Sequence, residues 1–197
     1  MAGLAFFSQQ LTSARAAGTL YNTYTTAKTV INQSELVPIP GNTLIVGSKF
    51  RVKVWGGLSN IATTPGTVTF QIMMGTIVAW TSGAIQLSTT AHTLIPFDLE
   101  VTLRVDSVST VAGSTATAAK FIGGGKLNGI MFTVGAGADS TTVVGQFPVP
   151  ATAPAVGTGF DSSISNILDF WTGFSISNAG NGIQVYDYTV EQLAGAA

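Results

Sequence analysis

Phe97-Asp98-Leu99-Glu100-Val101-Thr102-Leu103-Arg104-Val105 alternates without a break. Phe97, Leu99, Val101, Leu103 and Val105 share one side, and Asp98, Glu100, Thr102 and Arg104 share the other. A period of two is the signature of a strand with one wet and one buried face. Lys49 to Trp55 repeats it, with Phe50, Val52 and Val54 inward and Lys49, Arg51 and Lys53 outward. Thr67 to Met74 does so again through Val68, Phe70, Ile72 and Met74. Further strands are expected at Val78–Gln86, Ala119–Phe121 with Asn128–Val134, Thr141–Val149, Asn166–Ser175 and Gly182–Glu191.

Turn signals fall between these runs: Pro40-Gly41-Asn42, Gly56-Gly57, Thr64-Pro65-Gly66, Ser82-Gly83, Gly123-Gly124-Gly125 and Asn178 to Gly182. Thr, Ser, Gly and Val dominate, and no strand–helix alternation appears, so a parallel α/β fold is not expected. Short strands at near-regular spacing point to an all-β chain, a single antiparallel sandwich of jelly-roll type. An immunoglobulin type is disfavoured, because the chain is long for seven strands and has no cysteine pair. The expected domain spans residues 36–197. Residues 1–35 read as an extended N-terminal arm, whose Ser8–Ala17 stretch has a composition that allows a short helix. Ala151–Gly159 reads as a low-complexity loop.

The 197 residues hold 8 Lys and Arg, 9 Asp and Glu, and 1 His, with no Cys. Charged residues make up 9%, against about 25% in an ordinary soluble domain. Such a chain is short of polar covering for a lone globule, so contacts with its own copies or with other proteins are expected. A net charge of −1 leaves no electrostatic footprint for nucleic acid. The absence of Cys removes disulfides, thiolate metal sites and cysteine nucleophiles. The N-terminus has no basic region of the secretory type. Val54 to Phe97 lacks formal charge if His92 is neutral, but Gly, Pro, Thr, Ser and Gln interrupt it too often for a membrane-spanning helix.

Sites of chemistry are few. Gly123-Gly124-Gly125-Lys126 lacks the spacing and the Ser/Thr of a phosphate loop. His92 is the one imidazole and stands without an evident partner pair. Asp139, Asp161 and Asp169 could offer oxygen ligands to calcium, but their spacing is that of no known loop. Asp98 and Glu100 share a strand face, as the wet side of a strand would. No enzymatic activity, metal or cofactor is therefore expected. Lys49, Arg51 and Lys53 form an aligned cationic row suited to an intersubunit contact with acids such as Asp98, Glu100 or Asp106. Trp55, Trp80, Trp171, Tyr186 and Tyr188 could supply a sugar-stacking platform, although aromatics at strand ends are more often core. Asn32-Gln33-Ser34 matches a glycosylation sequon.

The last third carries a resemblance. Asp161 to Trp171 leads into Ser175 to Glu191, in which Trp171, Asn178, Asn181, Ile183, Val185, Tyr188 and Glu191 stand at strand ends and in a turn. This pattern resembles the C-terminal strands of tailed-phage virion proteins with a jelly-roll fold. It covers roughly residues 45–193. It implies a structural virion role of head-decoration, minor-capsid or fibre type. The expectation drawn from it is a capsid decoration (cement) protein on the outer surface of the head, made in the host cytoplasm. It would be a homotrimer that also contacts the major capsid protein. Phe6, Phe7, Leu11, Tyr21 and Tyr24 are the expected arm anchors, with Lys49, Arg51 and Lys53 as further interface residues. The alternatives are a tail, collar or fibre component, or a glycan-binding module for host attachment.

Overall fold

A computed structural model of the chain describes residues 8–109, 119–130, 132–133, 146–150 and 155–193. It is an all-β sandwich, as the alternation implied. One sheet has the order β1 (Ser8–Ser13), β14 (Gly182–Leu193), β5 (Lys49–Asn60), β8 (His92–Ser107), β9 (Lys120–Gly129) and β11 (Gln146–Val149). Here β2 (Tyr21–Asn22) adds to β14, and β12 (Ala155–Val156) adds to β9. The facing sheet has the order β10 (Phe132–Thr133), β7 (Ile77–Leu87), β6 (Thr67–Met74), β13 (Asn166–Phe174) and β3 (Lys28–Thr29), with β4 (Val37–Ile39) also on β13. Successive strands change sheet from β2 to β3, β4 to β5, β5 to β6, β7 to β8, β9 to β10, β10 to β11, β12 to β13 and β13 to β14.

The inward residues of the three reading strands meet between the sheets. Phe50, Val52, Val54, Phe97, Leu99, Val101, Leu103, Val105, Val68, Phe70, Ile72 and Met74 are all buried. Burying each large side chain is worth about 1.5–3 kcal/mol. Phe70 sits at the centre, stacked on Phe97 of the other sheet at 5.6 Å and on Phe170 at 5.9 Å.

Four sequence expectations need correction. Ser8–Ala17 holds no helix; Ser8–Ser13 is β1, paired antiparallel with β14. That stretch has one large apolar residue, Leu11, and so no apolar stripe to hold a helix, while the edge of β14 offers a ladder. Gly56-Gly57 is no turn and lies inside β5. Gly123 to Gly125 also lie within a strand, β9, pressed against β8 and the core rather than reversing the chain. Ser82-Gly83 is not a hairpin turn but a bulge in β7 opposite Phe70, whose N–H donates to Ser82 Oγ at 3.0 Å.

Residues 8–35 lie along the sandwich itself. Ala14 N donates to Tyr188 O at 2.8 Å and Gly18 N to Val185 O at 2.7 Å, and Val30 and Ile31 are buried in the core. The turn at Asn178–Gly182 is built as its composition implied. Asn178 Oδ1 accepts from Gly180 N at 2.8 Å. Buried Asn181 accepts from Ile61 N at 3.0 Å and donates to Pro65 O and Ile176 O, each at 3.1 Å.

Candidate functional site

The inward residues of β14 are Ile183 and Val185, then Tyr188 and Val190. The apolar phase slips by one between Val185 and Tyr188. The structure resolves the slip as a β-bulge, because Val185 pairs with Gly56 while Asp187 pairs with Trp55. Tyr186 and Asp187 both stand on the outer face opposite Trp55 as a result. Trp55 is 49% exposed. Its ring lies 5.3 Å from that of Tyr186, tilted by 60°.

The floor beneath Tyr186 is made by the absence of a side chain. A Cβ on Gly57 would lie 2.9 Å from Tyr186 Oη and 3.1 Å from Leu94 Cβ. Leu94 itself has a φ of 48°, uncommon for a branched residue, and donates its N–H to Ser59 Oγ at 2.9 Å. Strained backbone of this kind gathers where the surrounding fold holds a surface in shape.

Across the sheet, Trp55 is the centre of a row. Asp187 of β14 is its register partner on one side and Asp98 of β8 on the other. Asn128 of β9 continues the row and donates Nδ2–H to Asp98 Oδ2 at 3.3 Å. Two rows along, Arg51 reaches Glu191 at 3.4 Å and Glu100 at 3.7 Å. Arg51 thus binds the two neighbouring glutamates and leaves the two aspartates beside Trp55 without an ion pair among the described residues. The arrangement offers exposed ring faces, carboxylate acceptors and an amide, which are the parts of a recognition surface.

The other expected residues are dispersed. Lys53 is paired in register with Glu100, and Lys49 lies opposite Arg104, which binds Asp106 at 3.0 Å. Leu11 lines a cleft with Pro38, Ile39, Leu44 and Phe50. Tyr21 and Tyr24 flank the ammonium of Lys28, at 4.6 and 4.4 Å from the ring centroids. Tyr24 also packs edge-on against Phe174 at 5.4 Å. Burial pushes the Tyr24 hydroxyl well above the usual tyrosine range, and Tyr21 adds to the shift. Phe6 and Phe7 lie outside the described residues, as does Asp139.

Of the five aromatics considered as a platform, Trp80 and Tyr188 are buried in the core. Trp171 is tied down by its Nε1–H, which donates to Asp169 Oδ2 at 2.6 Å. Asp169 also accepts from Thr29 Oγ1 at 2.9 Å and Phe170 N at 2.6 Å, and burial raises its carboxyl above the usual range. Asp161 accepts from the hydroxyl and the N–H of Ser163, which lower its pKa. Among the described residues no three acids or histidines are gathered for a metal ion. Trp55 and Tyr186 remain as the surface pair. Sequence reasoning named both, but it did not associate them with Asp98, Asp187 and Asn128. The phase slip in β14 was the available signal.

No protein-family model matches the chain, and no curated protein matches it. A solved structure described as the CBM2 module of Lactobacillus casei BL23 phage J-1 evolved Dit is similar at 11% sequence identity, covering 98% of this chain and 100% of that one, with a TM-score of 0.37. A likeness at that level carries no argument about function.

Proposed function

We propose that the chain is a structural module of a tailed-phage virion that recognises a saccharide through the Trp55–Tyr186 platform. One observation carries the binding role: a half-exposed tryptophan stands beside a tyrosine that a bulge in β14 turns to the same outer face. Pyranose rings present C–H faces to aromatic rings and hydroxyls to carboxylates, and the Asp187–Trp55–Asp98–Asn128 row supplies both. The virion setting is supported by the resemblance of the C-terminal strands. A tail or host-attachment position suits a sugar-binding face better than the head does.

The test is binding of the full chain to a glycan array, followed by titration of the best oligosaccharide with wild type and Trp55→Ala. The expected result is measurable binding that the variant weakens at least about tenfold. Absence of binding, or binding indifferent to Trp55, overturns the reading.

A second reading is favoured by a separate observation. The outer sides of β6 and β7 bear Thr67, Thr69, Gln71, Thr81 and Gln86, and neither strand holds a charged residue. Such a face suits packing against a neighbour in a homotrimeric head-decoration protein that also contacts the capsid. Closed cyclic assembly would bury it without open growth, and each interface needs more than about 1,000 Å². Solution mass by light scattering tests this: a trimer supports it, and a monomer at all concentrations removes it.

A further inference from the structure

We infer that the saccharide bound at Trp55 and Tyr186 carries a protonated amino group; this rests on the saccharide reading above. The reason is the distribution of charge around the rings. On the outer face of the larger sheet, Arg51 lies between Glu100 and Glu191 and holds both. Among the described residues neither Asp98 nor Asp187, on either side of Trp55, has such a cation. Asp98 receives only the neutral amide of Asn128, and Asp187 has no hydrogen-bond partner among the described residues.

Cross-strand neighbours stand about 4.5–5.5 Å apart at Cβ, so Asp98 and Asp187 each stand directly beside Trp55. The ring faces of Trp and Tyr carry negative potential and attract a cation within about 6 Å of the centroid. A carboxylate without an ion pair on each side of Trp55, beside two tilted rings, makes surroundings that suit an ammonium. The nearest cations, Lys53 of β5 and Lys126 of β9, both belong to the next row, where each has Glu100 as its register partner. A phosphorylated or carboxylated sugar would meet repulsion from both aspartates. A neutral sugar would stack but would leave the two charges unanswered.

The experiment compares glucosamine oligosaccharides with N-acetylglucosamine oligosaccharides of equal length. Each is titrated calorimetrically into the full chain at mildly acidic pH, where the free amine is charged. The amine series is expected to bind about three- to tenfold more tightly. The difference should shrink as salt rises. Asp98→Asn with Asp187→Asn should weaken the amine series more than the acetylated one and so close the gap between them, and thermal melting confirms that this exposed double variant is folded. Equal or tighter binding of the acetylated series by wild type overturns the amine inference and leaves the saccharide reading standing. Failure of both series to bind also overturns the amine inference, and the saccharide reading falls with it only if the glycan array is empty too.

Discussion

The indole Nε1–H of Trp80, on β7, donates to the carbonyl of Gly123, on β9, at 3.2 Å and so ties the two sheets together through the core. The contact exists because residue 123 has no side chain. A Cβ there would lie 2.5 Å from Leu103 Cδ2, 2.9 Å from Thr102 O and 3.2 Å from Trp80 Cδ1. Gly123→Ala should therefore overpack the core and destabilise the fold by about 1–3 kcal/mol. Urea unfolding followed by Trp fluorescence measures it. A loss below about 0.5 kcal/mol would show that β9 can move away from Trp80 freely.

Trp55 carries the opposite expectation. It is half exposed and packs only its outer-face neighbours, so Trp55→Ala should change stability by no more than about 0.5–1 kcal/mol while removing saccharide binding. Gly57→Ser, by contrast, should displace the Tyr186 hydroxyl and weaken binding with both rings still present. Paired melting curves and binding isotherms separate the two effects.

Arg51 joins β5 to both neighbouring strands through Glu100 and Glu191, with side chains roughly a third exposed or less. Solvent screens pairs of this kind, and Arg51→Met should cost only about 0.5–1 kcal/mol. The cost should fall further in high salt, as denaturation at two ionic strengths would reveal.

Asp169 and Asp161 pull stability in opposite directions with pH. Burial raises the Asp169 pKa in the folded chain, so the native state holds that proton over a window above the usual aspartate value. Its contribution is greatest below the unfolded pKa and declines as pH rises through the folded one. Asp161 is lowered by the Ser163 hydroxyl and N–H, so its contribution is present above the unfolded pKa and is lost as pH falls through the folded one. In melts from about pH 3 to 7, the stability of wild type relative to Asp169→Asn should fall with rising pH; relative to Asp161→Asn it should rise.

Truncation of the first 35 residues should damage the fold itself. It removes β1 from the edge of β14 and takes Val30 and Ile31 from the core. Two such side chains account for about 3–6 kcal/mol of burial, a large part of a typical stability. Circular dichroism and melting should show loss of a cooperative transition. A truncated chain that melts as wild type does would mean that residues 8–35 are an appendage after all.

The sequence by itself determined the sandwich. Alternation in Phe97–Val105, Lys49–Trp55 and Thr67–Met74 is a local property of a chain with one buried face, and every inward residue it marked is buried. It determined the Asn178–Gly182 turn for the same reason, since turn chemistry acts within a few residues. Only the tertiary structure decided where the glycines at 56–57 and 123–125 lie, because their role is to admit Tyr186, Trp80 and neighbouring backbone from distant parts of the chain. It also decided that Ser8–Ser13 is a strand, since the ladder that recruits it belongs to a strand about 180 residues later. The same holds for the Asp187–Trp55–Asp98–Asn128 row. Its members come from four strands, and they meet because register and one bulge, not spacing in the sequence, set which side chains stand side by side.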